Sequence, residues 1–344
     1  MLTGGHIFTG SVLAPQTVST FFSQLSQKRV FYIYFGRKIY YNFTVKFYFW
    51  RFTMEKFKGI FPALLTPFDS ENKINEAALR ALIEMNLAKG VDGFYVCGST
   101  AEVFLLTEEE RRSLYRTVKE IVGERATLIA HVGDISTDKA IEYAKLAEAL
   151  GYDAVSAVAP FYYKFSFAEI KKYYFDIVSS VSLPMIVYNF PNFSGVTLSA
   201  EQIGEFFADD RFIGLKHTSA DTFALSRIKT DFPKKIIFNG FDEMMLGGLS
   251  MGADGGIGST YNFMAEKFIK LLALFKENKM AEAQELQKEI NVIIAALCEV
   301  GVMQGEKAIL CAMGLDFGKM RAPFGEIPEE KEKALLAKVM PLLA

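Results

Sequence analysis

The chain is poor in the residues that hold metals and close disulfides. Its 344 residues include three cysteines and three histidines. Cys97, Cys298 and Cys311 form neither a disulfide framework nor a zinc spacing, so they read as small buried hydrophobes suited to a reducing compartment. His6, His131 and His217 are scattered, which argues against a metal-hydrolase centre of clustered imidazoles and carboxylates. A broad basic surface is also lacking: the formal net charge is −2 with the signs mixed along most of the chain, which leaves no footprint for nucleic acid. No glycine-rich phosphate loop follows the first apolar run, which ends in LLTPFDS, and this counts against a doubly wound nucleotide-binding sheet.

Acidic residues are absent from residues 1–53, so all 40 of them lie beyond. The leading segment carries Lys28, Arg29, Arg37, Lys38, Lys46 and Arg51 among crowded Phe and Tyr, with no helical period and no caps. A mitochondrial transit peptide would be acid-poor and basic, but also an amphipathic helix. A membrane anchor needs roughly 18 or more uncharged apolar residues, and Lys or Arg interrupts every run. The favoured reading is an A/T-rich upstream region translated in frame, with Met54 as the start and 1–53 outside the native domain.

From Met54 onward, short apolar runs alternate with amphipathic segments. The runs are GIFPALLTPF (59–68), GFYVCG (93–98), TLIAHVG (127–133), AVSAVAP (154–160), PMIVYNF (184–190), FIGLKHT (212–218), KIIFNGF (235–241) and GGIGST (255–260). Between them, spacing such as Ala78, Leu82, Met85 marks helical faces. Capping boxes at Thr107–Glu110, Ser166–Glu169 and Ser199–Gln202 start helices, and Gly90, Gly123 and Gly151 end them. Strands apolar on both faces, each followed by a helix, predict an α/β fold: a (β/α)8 TIM barrel over 54–280 with a C-terminal helical extension over 281–344.

In such a barrel the C-terminal strand ends converge on one mouth. They carry Thr66; Gly98, Ser99 and Thr100; His131; Phe161 to Tyr163; Tyr188 and Asn189; Lys216 and Thr218; Asp242 and Glu243; and Ser259. A lysine at a strand end is commonly a solvated residue. One pointing into an apolar barrel instead loses hydration, which favours the free amine and allows attack on a ketone to form a Schiff base. Tyr188 on the adjacent strand is either a proton-transfer group in a relay with Ser99 or Thr100, or an ordinary core aromatic. The GST turn either presents N–H groups and hydroxyls to a carboxylate or makes a routine helix cap. His217 alternates to the face opposite Lys216 and is expected between barrel and helices.

GSTAE, AHVG, APFYY, YNFPNFSG, GLKHTSAD, NGFDE and GADGGIGSTYN, in this order and spacing, closely resemble the N-acetylneuraminate lyase branch of the dihydrodipicolinate synthase family, over residues 57 to about 340. The resemblance implies a class I aldolase with no cofactor or metal, working through a covalent Schiff base between pyruvate and Lys216. The substrates it implies are N-acetylneuraminate, N-acetylmannosamine and pyruvate. By motif, Lys216 and Tyr188 are catalytic, and Ser99 and Thr100 hold the pyruvate-derived carboxylate. Thr218, Gly240, Asp242, Glu243 and Ser259 hold the sugar portion. Tyr162 resembles a tyrosine that reaches into a neighbouring subunit's site, which implies a homotetramer; a cytoplasmic location without membrane or nucleic-acid partners completes the expectation.

The synthases of the family typically carry an arginine after the YN motif to pair with an aldehyde's carboxylate. This chain has Phe193 there and no arginine between Tyr188 and Gly195, which favours the sugar branch. Alternatives are another pyruvate-dependent aldolase or synthase of the family, for dihydrodipicolinate or keto-deoxy sugar acids, or a non-catalytic sugar-binding barrel. One departure is Ala101 where the family has glycine, which is expected to re-shape the carboxylate-binding turn slightly.

Overall fold

The computed structural model describes residues 54–343, so the readings of 1–53 lie outside the described residues. Eight strands are present: β1 (Gly59–Pro62), β2 (Gly93–Val96), β3 (Thr127–His131), β4 (Ala154–Val158), β5 (Met185–Asn189), β6 (Phe212–His217), β7 (Ile236–Asn239) and β8 (Gly255–Gly258). Each falls within one of the apolar runs. They form one parallel sheet in the order β1-β8-β7-β6-β5-β4-β3-β2. Its ends meet through a parallel bridge between Ala63 and Tyr95, where Leu64 N donates to Tyr95 O at 3.0 Å. The sheet thereby closes into a barrel.

Among the described residues nine α-helices accompany the strands: α1 (Glu76–Lys89), α2 (Glu108–Val122), α3 (Thr137–Leu150), α4 (Phe167–Ser179), the short α5 (Pro191–Ser194), α6 (Ala200–Phe207), α7 (Thr222–Asp231), α8 (Met245–Ser250) and α9 (Tyr261–Lys276). Three more follow, α10 (Met280–Cys298), α11 (Val302–Ala312) and α12 (Glu329–Leu343). All three expected capping boxes form, each with the Ser or Thr hydroxyl accepting from the N3 amide while the N3 side chain accepts from the cap. Gly90 and Gly151 close their helices in the left-handed conformation that suits glycine.

The outer faces of the strands pack on the helices. Tyr174, Phe206 and Phe212 are fully buried and meet edge-on or tilted, at 5.1 Å between Tyr174 and Phe206 and 5.4 Å between Phe206 and Phe212. Each such ring contributes about 1.5–3 kcal/mol by leaving water.

Strand β6 contains an irregularity that matters for the site. Met185 pairs with Phe212, yet the next residue, Ile186, pairs with Gly214, so Ile213 is an extra residue in β6. Beyond it Lys216 pairs with Tyr188 on one side and Phe238 on the other, while His217 pairs with Asn189 and Asn239. Lys216 and His217 therefore leave the strand on opposite faces.

Candidate active site

Lys216 projects inward from the end of β6 and is 5% exposed. Its Nζ lies 4.2 Å from the centroid of the Tyr188 ring and 4.5 Å from that of Tyr95, with Phe238 as its strand neighbour. Aromatic faces attract a cation, but they replace little of its hydration. Burial pushes the Lys216 ammonium down to about 7, with the Asp242 charge acting in the opposite direction. The free amine is thus abundant at neutral pH.

Around it opens a cavity of about 380 Å³, lined by Ser99, Thr100, Tyr188, Lys216, Thr218, Gly240, Asp242, Glu243 and Ser259. All nine expected inward-facing site residues are brought together. Burial raises the Tyr188 phenol, which stays neutral at physiological pH, and the Ser99 and Thr218 hydroxyls oppose that rise. Thr218 Oγ1 nevertheless closes no hydrogen bond of good geometry; it is buried and unpartnered within the described residues.

The loop after β7 supplies the carboxylates. Asp242 is buried, and its Oδ2 accepts from Thr260 N at 2.9 Å and Thr260 Oγ1 at 2.7 Å, while Oδ1 has no partner among the described residues. Burial pushes the carboxyl up to about 6; the Thr260 bonds oppose this, Glu243 adds repulsion, and Lys216 lowers it. Gln287 from α10 braces the loop, donating to Asp242 O at 3.2 Å and accepting from Leu246 N at 2.9 Å. Two glycines leave room for these groups. A Cβ on Gly240 would sit 1.9 Å from Thr218 Oγ1, and one on Gly258 would sit 1.9 Å from Asp242 Oδ1.

The turn after β2 corrects one expectation. Ala101 lies in a short 3-10 helix, Ser99–Ala101, with ordinary negative φ, and the left-handed residues are its neighbours Cys97 (φ 58°) and Glu102 (φ 56°). The Cβ of Ala101 therefore meets no positive-φ strain in this turn. Thr66 Oγ1 clamps it by donating to Ala101 O at 2.8 Å.

Other strand-end residues do not reach the cavity. His131 is fully buried: Nδ1 sits 2.9 Å from Cys97 O and Nε2 lies 3.2 Å from Val158 N, so the neutral ring donates through one nitrogen and accepts through the other. Burial and the Arg111 charge keep it neutral. His217 takes the outward position expected of it, with Nδ1 3.3 Å from Asn189 Nδ2 and Nε2 3.1 Å from Asp221 O. Tyr162, 83% exposed with φ 77°, does not line the cavity of its own chain. Phe193 does, with its ring 4.2 Å from Phe190. Among the described lining residues, Lys216 is the one cation.

Sequence reasoning missed four contributors. Tyr95 forms part of the floor under Lys216, with its hydroxyl donating to Ser156 Oγ at 3.0 Å. Glu102, Glu306 and Lys307 are all buried, and Ser259 Oγ lies 2.6 Å from Glu306 Oε1. The final E of GSTAE was the one available signal for Glu102; the other two read as an ordinary charged helix face.

Comparison with known proteins agrees with this geometry. The family model described as the dihydrodipicolinate synthetase family matches residues 56–341. A protein of Rhizobium meliloti (strain 1021) named N-acetylneuraminate lyase is 43% identical over 290 residues, 84% of this chain and 96% of that protein. A crystal structure described as CdNal from Clostridium difficile in complex with mannosamine is similar at 42% identity and a TM-score of 0.81, covering 83% of this chain and 99% of that one. The N-acetylneuraminate lyase from Fusobacterium nucleatum, complexed with pyruvate, gives 38% identity and a TM-score of 0.81 over 84% of this chain and 98% of its own. With its barrel, its strand-end lysine and a match spanning nearly all described residues, the chain belongs to the dihydrodipicolinate synthetase family.

Proposed function

We propose that this chain is a carbon–carbon lyase, a class I aldolase that reversibly cleaves N-acetylneuraminate to N-acetyl-D-mannosamine and pyruvate. One observation carries the reading: a buried lysine, its ammonium pushed down to about 7, faces a cavity lined by hydroxyls and two carboxylates. The curated relative named N-acetylneuraminate lyase supports the substrate.

The neutral Lys216 amine attacks the ketone of the open-chain sugar acid, and loss of water leaves a protonated imine. Its positive nitrogen accepts the electron pair of the C–C bond beta to it once the hydroxyl proton on the far carbon is removed. That bond breaks, the aldehyde departs, and the enamine is protonated on carbon. Hydrolysis returns pyruvate and the free lysine, so the water lost is regained. Tyr188, its ring against the amine, is placed to exchange the hydroxyl proton through Ser99 and Thr100. The same two hydroxyls face the carboxylate next to the reacting ketone, and Thr218, Gly240, Asp242, Glu243 and Ser259 face the polyol. No cofactor or metal enters these steps.

The chain works as a homotetramer in this proposal, with Tyr162 completing the relay of a neighbouring subunit. Its exposure and its left-handed backbone support that role, since a bulky residue holds such a conformation only where its surroundings impose it. Three unpaired cysteines fit a cytoplasmic location.

The test is borohydride reduction with saturating pyruvate followed by peptide mass analysis, alongside pyruvate release from N-acetylneuraminate and condensation with aspartate semialdehyde. A reduced adduct on Lys216 and turnover of the sialic acid are expected. Failure to trap Lys216 would overturn the Schiff-base chemistry, and preference for aspartate semialdehyde would overturn the substrate.

A further inference from the structure

Glu306 sits near the start of α11 with no exposed surface, next to a wall of the cavity it does not itself line. Its Oε1 lies 2.6 Å from Ser259 Oγ, and its Oε2 is buried without a partner among the described residues. A carboxylate buried with one oxygen unsatisfied is expensive, whereas the neutral acid needs a single acceptor for its proton. The 2.6 Å contact admits two directions, Ser259 donating to a carboxylate or accepting from the neutral acid, and only the second gives that proton an acceptor.

We propose that Glu306 is a positioning residue that donates a hydrogen bond to Ser259 Oγ and so turns the Ser259 hydroxyl hydrogen into the cavity, where it meets an acceptor oxygen on the sugar half of the substrate. The inference rests on the reading given under Proposed function. Its logic is hydrogen-bond arithmetic: a serine hydroxyl has one hydrogen to give. If Glu306 were ionised, Ser259 would spend that hydrogen on it and offer the substrate lone pairs alone. With Glu306 protonated, Ser259 accepts from behind and donates forward. The proton on a residue outside the cavity therefore sets the polarity of a residue inside it.

The surroundings favour the protonated form. Burial, reinforced by the Asp242 charge, pushes the Glu306 carboxyl up to about 8 even against a Ser259 hydroxyl donating to the carboxylate, the direction that would hold it ionised. From the elements packed around it, Asp242 on the loop after β7 is the ionised group acting on it. Lys307, next along α11, points instead to Glu102. Cys298 on α10 is pushed up by burial, and Glu329 and Lys333 of α12 pair with each other at the surface.

Steady-state cleavage of N-acetylneuraminate by the full chain between pH 6.5 and 9.5 tests this. In the native protein KM should rise through pH 8 while kcat changes less. Glu306→Gln, whose amide also donates to Ser259, should keep KM within about threefold and flatten its rise. Glu306→Leu should raise KM about tenfold, the size of one lost hydrogen bond. Combined with Ser259→Ala it should add nothing further, and pyruvate trapping on Lys216 should persist in every variant. Normal native cleavage with an unchanged KM in Glu306→Leu, or effects that add fully with Ser259→Ala, would overturn the inference alone. A native protein that traps pyruvate yet leaves N-acetylneuraminate intact would overturn the substrate reading and this inference with it.

Discussion

Lys307 and Glu102, 205 residues apart in the chain, form a buried ion pair with Nζ 2.7 Å from Oε1. The pair links α11 to the turn that carries Ser99 and Thr100. Glu102 Oε2 also accepts from Arg321 N at 2.7 Å, and Lys307 donates to Lys319 O at 3.1 Å, so the segment between α11 and α12 is tied to the same turn. The C-terminal helices thus hold the shape of the end of the cavity that Ser99 and Thr100 line.

Removing one partner strands the other in the interior. Lys307→Met is expected to lower unfolding free energy by about 3–5 kcal/mol, because the buried Glu102 loses its counter-ion. Denaturant unfolding measures this, and a loss no larger than that of an exposed pair, about 1 kcal/mol or less, would show the link to be unimportant.

The rate of pyruvate adduct formation on Lys216 should climb about tenfold per pH unit below 7 and level off above it, following the free amine. Stability follows the opposite logic. Because the folded value lies below the ordinary lysine value of 10.5, burial of the cation costs most below pH 7, and that cost fades between 7 and 10.5. Lys216→Met should therefore be more stable than the native protein at pH 6, with a smaller advantage at pH 9. Equal advantages in denaturant melts at both values would contradict the shifted lysine.

Gly240→Ala places a methyl 1.9 Å from Thr218 Oγ1, so either the loop or the threonine must move. The expected result is a fall of tenfold or more in kcat/KM for the sugar with a stability loss of about 1–3 kcal/mol, the usual range for overpacking. Unaltered kinetics would mean that this loop is softer than its contacts imply.

Phe193→Arg supplies a cation in the α5 loop at the cavity edge, where Lys216 is the one described cation. Relative kcat/KM should move toward a carboxylate-bearing aldehyde and away from N-acetylmannosamine in the condensation direction. If the ratio stayed constant in paired assays, the missing counter-ion would not be what sets substrate choice.

Much of this arrangement was legible from local pattern. Strand positions follow from apolar runs, helix starts from Ser and Thr caps, and the opposed directions of Lys216 and His217 from the two-residue period of a strand. The motif around Ala101 does not reveal which residues of the turn take positive φ; Cys97 and Glu102 do. His131 looked like a mouth residue because it ends a strand, yet its ring is consumed by Cys97 and Val158. Glu306 and Lys307 escaped notice for another reason. On a helix, neighbouring charges look like a solvated face until distant partners such as Ser259 and Glu102 are known.

The extra residue in β6 has a consequence for how this barrel can change. Phe212 faces Phe175 and Phe206 on the helices, and without the irregularity at Ile213 strict alternation would send residue 216 the same way. The parity of one strand thus decides which of two adjacent side chains enters the cavity and which packs outside it. Deleting Ile213 would leave Phe212 facing the helices and Lys216 opposite Tyr188 in a regular ladder, whereas drawing Ile213 into the ladder would turn Lys216 outward and His217 inward. The amine therefore stays in the chamber only while Ile213 stays out of the ladder.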